Sequence, residues 1–283
     1  MTESFADAAT LHDLARAHLP ADAAERWIAG LRPAARLKAA SGSDPVVGRL
    51  GSLPLLPDDV EWPVWDGHGP LAFVASLDCA ALPSGALDIE LPADGTLNFF
   101  YFDGQIDDGD ALVNPGEPET LAGARIIYVP AGTPTAERAM PEDLLEGLVE
   151  DLEDVETYRE VPLTAVIEAT VSDSYDDTAF PEEFRNALWD LAGNACHRVG
   201  GHATAVQNPV DHEIAHAVLG GKVAWGEPAM EAEARRWTLL AQFDSDHRAQ
   251  MMWGDTGCLY WLIRPEDLAE RRFDRAMFTW QCC

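Results

Sequence analysis

Basic residues are scarce in this 283-residue chain, and lysine is nearly absent. Nineteen lysine and arginine side chains stand against 49 aspartate and glutamate side chains, for a formal net charge of -30. Nucleic-acid binding relies on basic side chains that neutralise phosphates, so the composition argues against nucleic acid and anionic membranes as partners. The negative field could instead steer a basic protein toward this one, or it could be a solubility trait of the source proteome. The only two lysines, Lys38 and Lys222, suggest a GC-rich bacterial genome.

Long apolar runs and a secretory leader are also missing. No stretch approaches the roughly 18 apolar residues of a membrane-spanning helix. The first 18 residues, MTESFADAATLHDLARAH, form a mixed polar helix pattern rather than a signal peptide. We therefore expect a soluble, cytoplasmic protein. At 47% hydrophobic residues, the chain can bury a substantial core, as one large domain or as two closely packed halves.

The five cysteines form no CxxC pair and no regular framework. Their odd number and the missing leader indicate reduced thiols. Cys79 and Cys258 lie in apolar strand contexts and are expected to be buried small hydrophobes. The vicinal pair Cys282-Cys283 could bind a soft metal or oxidise, or it could have no role.

Most motifs of nucleophilic and phosphate chemistry are absent as well. There is no GxSxG elbow and no cysteine in a known nucleophile context. The glycine pairs at residues 200–201 and 220–221 lack the spacing and the lysine of a phosphate-binding loop.

One catalytic motif is present, HEIAH at residues 212–216. On a helix, this motif sets His212 and His216 one turn apart to hold zinc, with Glu213 as the general base. However, Pro209 puts His212 in the first helical turn, and no third ligand is obvious. The sequence therefore assigns no catalytic residue, no cofactor and no metal ligand, and a zinc-dependent hydrolase remains an alternative.

Periodicity and breakers predict an α+β protein with peripheral helices. Residues 1–31 are expected to form an N-terminal helical segment, broken at Pro20. Helices are also predicted at 181–191 and 210–219. Strands are predicted at 32–37, 71–77, 96–102, 126–129, 161–171, 237–243, 258–263 and 276–280.

An acidic segment lies between these elements. Leucines recur at helical spacing over residues 141–159 while acidic residues fill the other positions, which predicts an amphipathic helix. Its acidic face could be a solvated outer surface or a docking surface for a basic protein.

The chain carries a weak internal repeat. Residues 71–78 (LAFVASLD) align with 237–244 (WTLLAQFD), and residues 95–100 (GTLNFF) align with 257–262 (GCLYWL). The offset changes only from 166 to 162 between the two matches. We therefore predict two similar β-rich halves, at about 45–130 and 195–283, joined by the acidic helix and strand at 141–171.

The same phrases carry a family resemblance. Residues 51–63 (GSLPLLPDDVEWP), 237–246 (WTLLAQFDSD) and 251–268 (MMWGDTGCLYWLIRPEDL) resemble the YwqG-like family, and the similarity runs from Arg32 to the C-terminus. Ser52 and Ser76 depart from the pattern, which favours Gly and Gln there. The resemblance implies a domain over residues 32–283 with an α+β fold, a large, mostly antiparallel β-sheet core and an internal duplication. It implies no activity, because the family has no known function.

Polar and aromatic residues at strand ends are the candidates for a binding site. Trp253, Asp255, Gln242, Asp244 and Gln207 fall in or beside predicted turns, where loops on a rigid sheet often carry function. Structural duties explain the same residues: aspartates can bond their own turns, and Gln242 can satisfy backbone groups between the halves.

A sixth candidate, Trp62, lies in a proline-rich run over residues 52–83 that four prolines hold extended. Such proline and tryptophan surfaces dock peptides, or the arm can simply pack on its own core.

Two functional hypotheses follow. The first is a non-catalytic cytoplasmic protein whose acidic surface binds a basic protein, for example as a neutralising, immunity-type protein. The second is a zinc-dependent hydrolase using His212, Glu213 and His216, or a protein that binds a small ligand at the Trp253-Asp255 turn.

Overall fold

The structure, a computed structural model, describes residues 7–149, 155–172, 180–192 and 196–283. Its α-helices are α1 Ala8–His18, α2 Ala21–Ala29, α3 Glu182–Ala192, α4 Val210–Val218, α5 Pro228–Ala234 and α6 Pro265–Ala269. Short 3-10 helices lie at Ser84–Ala86, Pro118–Gly123, Glu142–Leu144 and Phe273–Arg275. No described helix combines the length and the apolar character needed to cross a membrane.

Fourteen strands are described, and ten of them form one sheet. The strands are β1 Arg32–Ala39, β2 Gly48–Leu50, β3 Leu55–Leu56, β4 Val64–Trp65, β5 Gly69–Pro70, β6 Ala72–Asp78, β7 Thr96–Tyr101, β8 Ala124–Val129, β9 Ala136–Glu137, β10 Val161–Thr170, β11 Arg198–Gly200, β12 Thr238–Asp244, β13 Cys258–Ile263 and β14 Met277–Gln281.

The large sheet has the order β14-β13-β12-β11-β1-β10-β2-β6-β7-β8. Every pairing in it is antiparallel. The minor strands β3 with β9 and β4 with β5 form two small ladders. The predicted α+β fold with a large antiparallel sheet is confirmed.

The sheet buries aromatic side chains between its two outer parts. Phe99 of β7 packs edge-on against Phe243 of β12 at 5.0 Å and against Trp261 of β13 at 5.2 Å between ring centroids. Tyr101 lies 5.0 Å from Phe278 of β14, with the two ring planes tilted by 31°. Residues that are distant in sequence thus share one core, which is why β6, β7, β12 and β13 read as continuous apolar runs.

The N-terminal helices form a separate cluster with α3. Trp27 of α2 packs edge-on against Phe184 of α3 at 5.2 Å, and both side chains are buried. Asp7 caps α1, because its Oδ1 accepts a hydrogen bond from Thr10 N–H at 2.7 Å. The predicted helical segment therefore exists over the described residues from Ala8 to Ala29.

The predicted acidic helix is wrong for the described part of residues 141–159. Only Glu142–Leu144 is helical, as one 3-10 turn. Gly147 then adopts a φ of +79°, a left-handed conformation that ends a helix. The predicted strand that follows is confirmed as β10. Residues 150–154, which belong to the same prediction, lie outside the described residues.

The segment after this gap bonds to other parts of the chain instead of to its own turns. The Tyr158 carbonyl accepts a hydrogen bond from Ser52 N–H at 2.8 Å, and Arg159 N–H donates to the Ala249 carbonyl at 2.9 Å. Helical spacing of leucines could not reveal these partners, because they come from two distant segments.

Candidate functional site

The HEIAH motif lies on α4, as expected, but its first histidine is fully engaged. His212 Nδ1 lies 2.9 Å from Asp211 Oδ1, and His212 Nε2 lies 3.0 Å from Glu231 Oε1. These hydrogen bonds, that to Asp211 foremost, raise the pKa of His212 to about 9 against the opposing effect of burial. At neutral pH the ring is therefore an imidazolium that donates from both nitrogens, and it offers no lone pair to a metal.

The other motif residues are engaged as well. Glu213 accepts a hydrogen bond from Thr279 Oγ1 at 3.0 Å, and His216 Nδ1 lies 3.3 Å from the Val223 carbonyl. Within the described ranges, no group of three or more histidine, cysteine or acidic side chains is arranged to hold a metal. The motif acts here as a link between α4, α5 and β14.

Gln242 and Gln207 both bond to backbone. Gln242 is fully buried; its Oε1 accepts from Thr204 N–H at 3.0 Å and its Nε2 donates to the Cys196 carbonyl at 2.7 Å. Gln207 is exposed and donates to the Cys282 carbonyl at 2.6 Å. This geometry favours the structural role for Gln242, which fastens two loops to β12.

Asp244 belongs to a buried polar cluster beside β12. Its backbone N–H donates to His197 Nδ1 at 3.1 Å, and His197 Nε2 faces Asp246 Oδ2 at 3.3 Å. Burial raises the pKa of Asp244. Burial also opposes ionisation of Asp246, but hydrogen bonds from His197 and Arg248 outweigh it and lower the pKa of that carboxyl. The cluster contains groups typical of acid-base catalysis, but none of its three residues lines either of the two cavities beside the sheet.

The Trp253-Asp255 turn separates its two candidate residues. Asp255 is exposed, whereas Trp253 is only 2% exposed and packs edge-on against Tyr101 and Tyr158 at 5.9 and 5.6 Å. Trp253 is therefore a buried packing partner of Tyr158.

Trp62 is the sequence candidate that lies at a cavity. Its Nε1 donates to the Leu71 carbonyl at 2.9 Å, and its ring packs edge-on against Phe100 at 5.4 Å. The proline-rich arm therefore packs on the outer face of β6 and β7, and it leaves room beside Trp62.

This room, the Trp62 cavity, has a volume of about 160 Å3. Its wall is mainly apolar and aromatic, and two exposed carboxylates, Glu142 and Glu156, form what we call the acidic rim. No lysine, arginine or histidine is among the described residues that line it. The main wall residues are Trp62, Phe73, Met140, Leu145, Val155 and Tyr158.

One wall of the Trp62 cavity is fixed by a small hydrogen-bond network. Tyr158 Oη donates to Asp103 Oδ2 at 2.6 Å, and Gln105 Nε2 donates to the same oxygen at 2.7 Å. Gln105 Oε1 in turn accepts from the backbone N–H of Glu156 at 2.8 Å. Burial, and next the Asp103 carboxylate, raise the pKa of Tyr158, which therefore stays a neutral donor.

The arm on the other side is held by Arg138. Its guanidinium donates to the carbonyls of Pro57 and Val60 at 3.2 and 2.7 Å. This cation is therefore directed to the backbone oxygens of the proline-rich arm.

A second, much smaller cavity of about 30 Å3, the His202 cavity, lies beside β11 and β12. Its wall includes Arg32, Gly201, His202, Trp237 and Leu239. The space suffices for one or two waters.

Sequence reasoning found only Trp62 among the wall residues of the larger cavity. Leu145, Val155 and Tyr158 come from the segment predicted to be helical, Met140 directly precedes that segment, and Phe73 was assigned to a strand without a functional role. No local motif marks such a set, since its members meet only in the folded chain.

Comparison with known proteins assigns a family but no activity. No curated protein matches the sequence. A family model described as a domain of unknown function, DUF1963, matches residues 48–282. This range holds the large sheet except β1, as well as every residue named at the Trp62 cavity. The chain therefore belongs to the family of the domain of unknown function DUF1963.

Proposed function

We propose that this protein is a non-catalytic binding protein that recognises a basic protein partner at the Trp62 cavity and its acidic rim. The observation that carries this proposal is a cavity of about 160 Å3 with mainly apolar walls, two carboxylates at the rim and no cation among the described residues that line it. Binding sites are typically concave and mostly apolar, with a few polar groups that select the ligand.

Charge supports a basic partner over other classes. The chain has a formal net charge of -30, and exposed Asp143 and Glu146 adjoin Glu142 of the rim in sequence. Such a field speeds the encounter with a positively charged protein and repels anionic ones. The five cysteines are all free thiols, which supports a reducing, cytoplasmic location. A neutralising, immunity-like role against a basic protein fits this chemistry.

The alternative, a zinc-dependent hydrolase, has less support. His212 donates from both ring nitrogens, and Glu213 is bonded to Thr279. A small-ligand protein remains the second candidate, because the Trp62 cavity has the volume of a small organic group.

We also propose that the sheet contains the duplication that the sequence predicts. The strand order supports it: β1 and β10 adjoin at the centre, and β11-β12-β13-β14 extend to one side as β2-β6-β7-β8 extend to the other. One bulge interrupts β6 and β7 between Phe73 and Ala75, and one interrupts β12 and β13 between Leu239 and Ala241. The two bulges differ by the 166 residues of the sequence offset.

Side-chain contacts add to this support. Arg49 of β2 donates to the carbonyl of Leu53, four residues on, and Arg198 of β11 donates likewise to the carbonyl of His202. We also propose that the DUF1963 match and the YwqG-like resemblance describe one family, because the segments that carry the resemblance, residues 51–63, 237–246 and 251–268, all lie within the matched range 48–282. Backbone hydrogen bonds at the turns also support the duplication. Cys79 N–H donates to the Gly95 carbonyl, and Ser245 N–H donates to the Gly257 carbonyl, both at 3.0 Å.

The test is calorimetric titration of the full chain with octa-arginine. A protein of such negative charge attracts any polycation, so the informative quantity is a difference between matched variants. Neutralising the rim with Glu142→Gln and Glu156→Gln should weaken binding about fivefold or more, since two ion pairs are lost. Neutralising the exposed Glu90 and Glu119 changes the net charge equally and should weaken it less than twofold.

Equal weakening in the two double variants would mean that only the overall charge matters, and it would refute a site at the Trp62 cavity. The absence of any binding by the native chain would refute the basic partner altogether.

A further inference from the structure

We propose that the group that fills the Trp62 cavity is a single cationic side chain of the partner, an arginine or a lysine, inserted from the acidic rim. This inference rests on the proposed function and names the chemistry that the cavity selects. It requires that the cavity accept the volume of such a side chain, that its wall favour a cation, and that the opening be more than a gap in the packing of the sheet.

The volume fits one long side chain. An apolar cavity of about 150 Å3 holds a benzene-sized molecule of six heavy atoms. At about 160 Å3, the Trp62 cavity takes a guanidinium with its neighbouring methylenes, or the end of a lysine. An octapeptide backbone or a folded element is too large, so the rest of the partner must lie outside.

The wall matches both parts of such a side chain. Met140, Leu145 and Val155 offer apolar surface to the methylene stem. Trp62 and Tyr158 bring aromatic rings, whose faces attract a cation that has left bulk water.

The rim completes the match to the charged end. The carboxylates of Glu142 and Glu156 can accept charge-assisted hydrogen bonds from an ammonium or guanidinium. A carboxylate or phosphate ligand would meet two like charges and, among the described wall residues, no cation, so the wall favours a cation over an anion.

The corresponding position in the other half of the sheet is nearly closed. When the two strands are aligned on their bulges, Leu239 of β12 corresponds to Phe73 of β6, and Trp237 corresponds to Leu71. Leu239 and Trp237 line the His202 cavity, which has about 30 Å3 against about 160 Å3. The matched wall residues Phe73 and Leu239 therefore face cavities of very different size, about 160 Å3 and about 30 Å3.

Peptides with one charge test the inference separately from the proposed function. Two heptapeptides of glycine and serine carry either arginine or citrulline at the centre; citrulline keeps the shape and lacks the charge. Binding to the full chain is followed by NMR at the Trp62 indole N–H, which a Trp62→Phe variant identifies. We expect the arginine peptide to bind at least about tenfold more tightly than the citrulline peptide.

A space-filling variant tests the location. Ala139 is exposed and lines the cavity, so Ala139→Phe should block it without disturbing the fold. We expect a loss of about tenfold or more in affinity for the arginine peptide. Ala131→Phe, on an exposed residue outside the cavity, is the matched control and should change nothing.

The possible failures are distinct. If the rim variants weaken octa-arginine binding but Ala139→Phe leaves the arginine peptide unaffected, the partner binds across the surface, and the inserted side chain is refuted while the proposed function stands. If free arginine amide binds as tightly as the peptide, the occupant is a small cationic molecule, and a partner side chain is refuted. Equal binding of the arginine and citrulline peptides refutes the cation.

Discussion

Gln242→Met should destabilise the protein without touching the binding site. Gln242 is fully buried in β12, and its amide bonds to Thr204 N–H and to the Cys196 carbonyl. Methionine has a similar length but no hydrogen-bonding group of comparable strength. The change therefore leaves two backbone groups without their partners while the volume of the side chain stays about the same.

The size of the effect follows from those two groups. A buried polar group that loses its partner costs about 1–3 kcal/mol. Cys196 is buried, so its carbonyl should incur much of this penalty, whereas Thr204 is half-buried and water can replace part of its bond. Together we expect the free energy of unfolding to fall by about 2–4 kcal/mol.

Urea unfolding followed by circular dichroism measures this difference, with equal m-values as the condition for comparing midpoints. Gln207→Met is the matched control, because it removes an amide that bonds the Cys282 carbonyl at an exposed position, and we expect a loss below about 1 kcal/mol. A Gln242→Met variant within about 0.5 kcal/mol of the native chain would refute the reasoning. So would a stable variant that loses octa-arginine binding, since that would make Gln242 a ligand-binding residue.

Three other predictions concern stability. Folding raises the pKa of His212 to about 9, so His212→Gln should remove a stabilisation that is complete below pH 6.5 and is lost as the pH rises through about 9. Urea unfolding at several pH values measures the stability difference between the native and variant chains. A difference that does not depend on pH would contradict this prediction. Ser52→Gly should stabilise the chain by about 0.5–1 kcal/mol, because Ser52 has a φ of +66°, which glycine adopts without strain; a lower unfolding midpoint would contradict it. Gly257→Ala should cost about 3 kcal/mol or more, because the new Cβ would lie 2.3 Å from the Gln281 carbonyl oxygen, whereas Gly85→Ala, in open space, should be nearly neutral; equal melting temperatures would contradict it.

Local patterns were sufficient to predict the strands and helices that bury one continuous face. The run at residues 237–243 and the run at 258–263 became β12 and β13, and alternation at 161–171 became β10. These elements are apolar where they meet the shared core, so the pattern carries the information. The order of the ten strands could not be read in this way, because it depends on which segments pair across long stretches of chain.

The candidate site was harder to predict because its parts are ordinary in isolation. Trp62 stood out for its proline-rich surroundings, but Leu145 and Val155 read as the apolar face of a helix. Gly147 at a φ of +79° and the bond from Ser52 N–H to the Tyr158 carbonyl redirect that segment across the arm. In the folded chain, Leu145 and Val155 line the cavity together with Phe73 and Trp62.

His212 illustrates the opposite error, in which a local motif suggests a catalytic site that the tertiary contacts do not support. The spacing of HEIAH is that of a zinc site, yet Asp211 and Glu231 turn its first histidine into a charged clasp between α4 and α5. Glu231 lies 19 residues from His212, so its contact is a tertiary one that spacing within the motif cannot reveal.

The position of a bound cationic side chain tests the central claim most directly. Intermolecular nuclear Overhauser effects can be measured between a labelled arginine side chain of the heptapeptide and the rings of Trp62, Phe73 and Tyr158 in the full chain. Insertion into the Trp62 cavity predicts contacts from the arginine methylenes to Trp62 and Tyr158, and their loss in Ala139→Phe. Contacts to other parts of the acidic surface, with none to these rings, would contradict the account.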